Sequence, residues 1–140
     1  MSLEEIQAAI PHRPPMLLVD EIVERGENRI RCKKTFRAEE FFFQGHYPAR
    51  PIVPGVILCE SAMQAGAILL SQFLGKAGGV PVATRMSDVK FKRMIGPGDV
   101  VELDVTLNER LADAYFLTAK ITHDGKLAAR FDFACTLAGS

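Results

Sequence analysis

The residues best suited to do chemistry lie between Phe41 and Gln64, where Gly45-His46-Tyr47-Pro48 is followed, fourteen positions after the histidine, by Glu60. Glu60 stands among Val56, Ile57, Leu58, Ala62, Met63 and Ala65, so its carboxylate carries a desolvation cost that demands a partner or a task. His46, flanked by a glycine and a proline, is a candidate for that partner, and imidazole is the side chain suited to act as a base near neutral pH. Gly55 falls at the expected start of a helix, where its backbone N–H has no intrahelical acceptor and is free to polarise a carbonyl oxygen. A carbonyl docked there gains negative charge as a neighbouring α-proton leaves, which the positive end of the helix dipole favours. The pattern points to enolate-type chemistry, with His46 taking the α-proton and Glu60 exchanging a proton with a second oxygen. Gln64 lies one turn beyond Glu60 on the same helical face, where its amide can orient that carboxylate or satisfy buried backbone groups.

These groups must be held by the elements around them. Prolines and a glycine open the segment Pro54 to Gly75 and a glycine closes it, as helix boundaries prefer, and it has no polar face. A helix apolar nearly all round has to be wrapped by the rest of the fold. The second half of the chain offers the wrapping: Val101, Leu103, Val105 and Leu107 alternate with polar residues, the period of a half-buried strand. Tyr115, Leu117, Ala119 and Ile121 repeat that period, His123-Asp124-Gly125-Lys126 marks a hairpin turn, and the odd positions from Leu127 to Leu137 complete a meander. Pro81 to Met94 is a further expected strand. Ahead of the helix, Ser2 and Glu5 form a capping box for a short helix ending before Pro11. Met16 to Val23 and Arg29 to Arg37 then read as paired strands turning at Gly26 and Asn28. Strands on both sides of one long buried helix, with no β-α-β alternation, predict an α+β fold whose antiparallel sheet curls around that helix.

Composition fits this outline. The chain has 140 residues, enough for one domain over residues 1–140 with a real core, and 48% of them are hydrophobic. Seventeen basic and seventeen acidic side chains cancel, which argues against nucleic acid or an anionic membrane surface as partner. The apolar run from Ile52 to Leu74 contains Glu60, Gln64 and Gln72 and is read as a buried helix rather than a membrane span. Cys32, Cys59 and Cys135, odd in number and widely spaced, are expected as free thiols, which with no leader-like N-terminus predicts a cytoplasmic location.

The segment from Phe42 through Gly45-His46-Tyr47-Pro48 to Pro54-Gly55-Val56 resembles the signature of FabZ-type 3-hydroxyacyl-[acyl-carrier-protein] dehydratases. Pro11 to Asp20 is similar to that family's N-terminal motif, and Phe91-Lys92-Arg93 with Gly96-Pro97-Gly98-Asp99 to its later one. The resemblance implies a hot-dog fold and conversion of a 3-hydroxyacyl thioester to the trans-2-enoyl thioester in fatty acid biosynthesis, with no metal or organic cofactor. It implies His46 and Glu60 as catalytic base and acid and Gly55 as donor to the thioester carbonyl. Val56, Gln64, Arg85 and Phe91 complete the residues assigned to substrate binding. It further implies acyl carrier protein as partner and a homodimer, each site completed by Glu60 of the neighbouring subunit, assembling to a hexamer. Related dehydratase-isomerases usually carry aspartate at the place of Glu60, so the glutamate implies dehydration without isomerisation. Three departures bear on the acyl tunnel: Arg85 stands in a normally glycine-containing segment, no tyrosine lies between Gly75 and Lys90, and Met94 replaces a common proline.

Lys90, Lys92 and Arg93 form the densest basic cluster and, with Arg85 or Arg50, suit an acidic carrier protein. His12, Arg13 and Asp20 are read as structural groups tying down a turn and a strand, and His123 as a solvated turn residue. Two rival functions share the fold: a thioesterase in which Glu60 activates water, distinguished by thiol release, and a non-catalytic acyl-carrier-binding subunit, distinguished by silence towards substrate.

Overall fold

Residues 2–47, 49–74 and 79–138 are described by a computed structural model, the Ser2 side chain excepted. The capping role expected of Ser2, Pro48 of the signature and the helix-closing Gly75 lie outside the described residues. Helix α1 spans Ser2–Ala9. It buries Ile6, with Ile10 just beyond it. Its last carbonyls are held by Arg13, whose guanidinium donates to Gln7 O and Ile10 O, both at 2.9 Å.

Six strands follow around one long helix: β1 (Glu21–Arg25), β2 (Arg29–Thr35), α2 (Gly55–Leu70), β3 (Val80–Phe91), β4 (Val100–Leu111), β5 (Ala114–His123) and β6 (Lys126–Ala138). They form one sheet in the order β1-β2-β4-β5-β6-β3, with every pairing antiparallel. Register shifts at Ile22/Glu24, Ala83/Arg85, Ser87/Lys90, Leu107/Glu109 and Ile121/Thr122 add local twist, so the sheet bends around α2. This is the α+β, hot-dog arrangement that the sequence predicts.

The period-2 pattern decides which face meets the helix. Val101, Leu103, Val105, Leu117, Ala119, Ile121, Ala129 and Phe131 point inward and are at most 1% exposed. Every residue of α2 from Gln64 to Leu70 is buried. The segment Gly55–Phe73 is long and apolar enough to cross a membrane, yet 61% of it is buried inside the fold, which accounts for its composition. At Gly66 the helix lies so close to β6 that an added Cβ would stand 2.8 Å from the Phe133 ring.

The first strand starts later than the pattern Met16 to Val23 predicts. Ahead of it, at Met16 and Leu18, backbone polar groups turn to α2 instead of a strand neighbour: Gln64 takes Leu18 N–H and Met16 O, and Ser61 Oγ donates to Leu18 O at 2.6 Å, while pairing with β2 begins at Asp20, whose N–H bonds Lys33 O. Strand β3 ends at Phe91 rather than Met94, where the N–H groups of Lys92 and Arg93 converge on Ala128 O. Strand β2 closes at Thr35, two residues before Arg37. Phe36 instead exchanges backbone bonds with Gly98 and Asp99 of the loop before β4. His123 is not solvated as its turn suggests; its Nε2 lies 3.6 Å from both Asp99 and Asp124 and its side chain is 23% exposed.

Cys32, Cys59 and Cys135 are free, buried thiols. Desolvation pushes them up to about 12, about 11 and about 11, so they pack as small apolar groups and are poor nucleophiles. The burial of α2 makes an unequal demand along its length. Leu69→Ala, at a fully buried position, is expected to lower stability by about 2–5 kcal/mol. Val56→Ala, at a position 74% exposed, should stay within about 0.5 kcal/mol in the same urea titration.

Candidate functional site

Helix α2 carries the candidate groups into two separate places. At its start, Pro54 is the N-cap residue and no side chain caps the first turn. The fixed φ of proline suits a helix entry, and the leading amides are left for an outside acceptor. Phe91 packs against Gly55: a Cβ added there would stand 2.8 Å from Cζ of the ring, which would have to move. Around this point a cavity of about 400 Å³ is lined by His46, Tyr47, Ile52, Val53, Gly55, Val56, Leu58, Phe91, Arg93, Met94 and Ile95. Its wall is open and largely apolar, with Tyr47, Val56, Phe91 and Met94 all more than half exposed.

His46 is half-buried at this cavity. Its Nδ1 lies 3.1 Å from the carbonyl oxygen of Ile52. A carbonyl only accepts, so Nδ1 carries the proton and Nε2 keeps its lone pair, the tautomer a base requires. Tyr47 stands edge-on against the imidazole at 4.7 Å, in a left-handed backbone conformation (φ 51°) that turns the chain sharply after the histidine.

Glu60 sits about one and a half turns further along α2, at a different cavity, of about 90 Å³, lined by His12, Met63, Gln64, Ala67, Pro81, Ala83 and Cys135. Its side chain is 30% exposed. Gln64, 1% exposed, donates from Nε2 to Glu60 Oε2 at 2.9 Å. The amide cannot turn over, because its Oε1 accepts Leu18 N–H at 2.7 Å and its Nε2 also donates to Met16 O at 2.8 Å. Gln64 therefore performs both tasks that its position suggests: it ties the irregular 16–18 segment to the helix and it fixes the carboxylate. No described cavity holds both His46 and Glu60.

The remaining candidates divide between the two places. Val56 and Phe91 line the His46 cavity and Gln64 the Glu60 cavity. Arg85 lines neither; it borders a groove of about 380 Å³ on the outer face of the sheet, with Phe116, Arg130 and Asp132. The cause is the bulge: Ala83 pairs with inward-facing Cys135, but the register slips and Arg85 pairs with Ala134, one residue earlier on β6 and so on the opposite face. The guanidinium is thereby carried away from Glu60. Lys90, Lys92 and Arg93 are exposed, and Arg93 forms part of the rim around His46. Among the described residues no three His, Cys, Asp or Glu side chains are grouped as a metal ion would need.

His12 is the residue that sequence reasoning missed. Its Nε2 lies 3.7 Å from Glu60 Oε2, although the two are 48 positions apart and nothing near His12 in sequence announces a carboxylate partner. The one signal available was its place in the ordered motif Pro11 to Asp20.

Residues 10–132 match a family model described as a FabA-like domain. The 3-hydroxyacyl-[acyl-carrier-protein] dehydratase FabZ of Oenococcus oeni is 42% identical over 134 residues, covering 94% of this chain and 96% of its own length. The FabZ protein of Streptococcus pyogenes serotype M5 is 41% identical over 138 residues, covering 96% and 99%. Among solved structures, the dehydratase heterocomplex ApeI:P from Xenorhabdus doucetiae superposes with a TM-score of 0.82 at 14% identity, covering 100% of this chain and 93% of its own. The E. coli PaaI protein superposes with a TM-score of 0.71 at 19% identity, covering 96% and 91%. At such identities the structures speak for the fold, and the sequence relatives for the family.

Proposed function

The chain belongs to the FabA-like family of FabZ-type dehydratases, and from that premise we propose that it dehydrates 3-hydroxyacyl-[acyl-carrier-protein] to trans-2-enoyl-[acyl-carrier-protein] in fatty acid biosynthesis. The observation that carries this reading is the tautomer of His46: Nδ1 is committed to Ile52 O, so Nε2 is available as a base beside an uncapped helix start.

The thioester carbonyl oxygen accepts the Gly55 N–H, which with the helix dipole favours negative charge on that oxygen. His46 Nε2 removes a proton from C2. Glu60, protonated, gives its proton to the hydroxyl at C3 as the C3–O bond breaks, and the electron pair from C2–H becomes the C2=C3 double bond as water leaves. Val56 and Phe91 offer apolar surface to the acyl portion. The enzyme is then left with a protonated imidazole and a carboxylate, which exchange protons with water before the next turnover. The three buried thiols suit a reducing compartment such as the cytoplasm.

One chain supplies the two groups in separate cavities, so the reading requires a second copy. Strand β3 supports it: it is a sheet edge of twelve residues that leaves Val80, Val82, Met86 and Val89 exposed. Pro81 and Ala83 near its start border the Glu60 cavity, and Phe91 at its end borders the His46 cavity. Two such strands paired antiparallel about a twofold axis bring the start of one against the end of the other, and so one protomer's Glu60 towards its partner's His46. Pairs of this kind can assemble further, to a hexamer. The basic groups Lys90, Lys92 and Arg93 at the same rim suit the acidic surface of a carrier protein.

Purified protein given a trans-2-enoyl-acyl-carrier-protein is expected to hydrate it reversibly without releasing thiol, as followed by mass spectrometry, and His46→Ala and Glu60→Gln should each abolish hydration. Thiol release would indicate a hydrolase, and silence across several chain lengths a binding subunit. Mixing the two inactive variants after dissociation and reassociation should restore about a quarter of wild-type activity, since half the dimers are mixed and each has one intact site; no recovery would place both groups in one chain. Reversing the charges of Lys92 and Arg93 should slow turnover of carrier-linked substrate more than of a free thioester, and an equal effect on both would refute docking at this rim.

A further inference from the structure

The two oxygens of the Glu60 carboxyl are not equivalent. Gln64, its orientation fixed by Leu18 N–H and Met16 O, directs a donor at Oε2. His12 Nε2 faces that same oxygen at 3.7 Å, under an ångström longer than an ordinary N–H···O hydrogen bond. The segment bearing His12 is pinned on both sides: Arg13 holds the end of α1, and Met16 N–H and Leu17 N–H both bond Arg13 O. The backbone that bears the imidazole is therefore fixed beside the carboxyl.

We propose that His12 is a positioning residue for Glu60, and that with Gln64 it occupies Oε2, leaving Oε1 as the oxygen that carries the exchangeable proton to substrate. The tautomer follows from what each ring nitrogen meets. Nδ1 is buried with no partner. Were the proton there, a buried donor would go unsatisfied while the bare Nε2 faced a carboxyl oxygen lone pair; with the proton on Nε2, the donor faces that oxygen. The Gln64 hydrogen bond to Oε2, with the positive end of the His12 N–H at ion-pair distance from the same oxygen, disfavours a proton there, since a hydrogen bond is lost when its acceptor is protonated. The transferable proton is thus confined to one oxygen, and the carboxyl does not have to rotate between turnovers. This inference rests on the dehydratase reading, in which Glu60 is the acid.

The test pairs kinetics with a measurement that needs no substrate. In hydration of the trans-2-enoyl thioester, His12→Ala should lower kcat roughly tenfold with KM within about twofold, the pattern of a misaligned group rather than of lost binding. His12→Gln, whose amide can donate to Oε2, should recover most of that loss. Urea midpoints of the wild type, His12→Ala, Glu60→Gln and the double variant should be non-additive, with His12→Ala mattering less once Glu60 is replaced. A rise in KM alone, failure of His12→Gln to recover, or equal midpoint losses in both backgrounds would overturn the proposal. If the wild type hydrates nothing, the dehydratase reading fails and the assignment of Oε1 with it, whereas the urea cycle still reports whether His12 and Glu60 interact.

Discussion

Everything in this fold answers to one constraint: helix α2 has almost no face that tolerates water. Its residues from Gln64 to Leu70 are buried without interruption, so cover must come from the sheet on one side and from chain segments on the other. The sheet meets this demand by curling, which the register shifts allow, and the helix carries a glycine where it runs closest to a strand, as at Gly66 against the Phe133 ring of β6. The side the sheet does not reach is closed by the segment Met16 to Leu18, whose backbone is hydrogen-bonded by Gln64 and Ser61 instead of by a strand. Polar residues within the apolar helix are thus the means by which the cover is attached.

Glu60 stands where that cover thins. Its side chain keeps partial contact with solvent while its neighbours in the helix are buried. A carboxyl in such a place is neither fully solvated nor fully enclosed, and a fixed donor distinguishes one of its oxygens from the other. Gln64 is well suited to this because its other bonds are to backbone atoms far away in sequence, so it holds its orientation whether or not substrate is present. One side chain ties the 16–18 segment to the helix and bonds the Glu60 carboxyl, and substituting it would disturb both contacts.

The division of His46 and Glu60 between two cavities follows from helix geometry. His46 borders the start of α2, about one and a half turns separate that start from Glu60, and of the residues between them Leu58 and Cys59 are committed to the core. A site built from opposite ends of the edge strand β3 is one that a twofold axis can complete. The superposition on solved structures at 14% and 19% identity speaks for the curled sheet and its helix alone, so function is argued from this arrangement of side chains together with the family to which the chain belongs.

Much of this was legible in the chain itself. Strict alternation in Val101 to Leu107 and its repeats determined the strands and their inward faces, because period 2 admits one face to the core and a slip of one residue would reverse it. The apolar stretch after Pro54 determined a central helix, and a lone carboxylate within it determined that something must attend to Glu60. What attends to it was decided by tertiary structure. His12 reaches Glu60 across 48 positions, and the turn of Arg85 to the outer face depends on a bulge whose place is set by pairing with β6. Likewise Met16 to Leu18, strand-like in composition, is irregular because α2 offers its backbone polar partners in place of a neighbouring strand. Local periodicity reports how a residue is buried, since burial repeats with the backbone; which distant side chain it meets depends on how the chain closes on itself, and no local pattern encodes that.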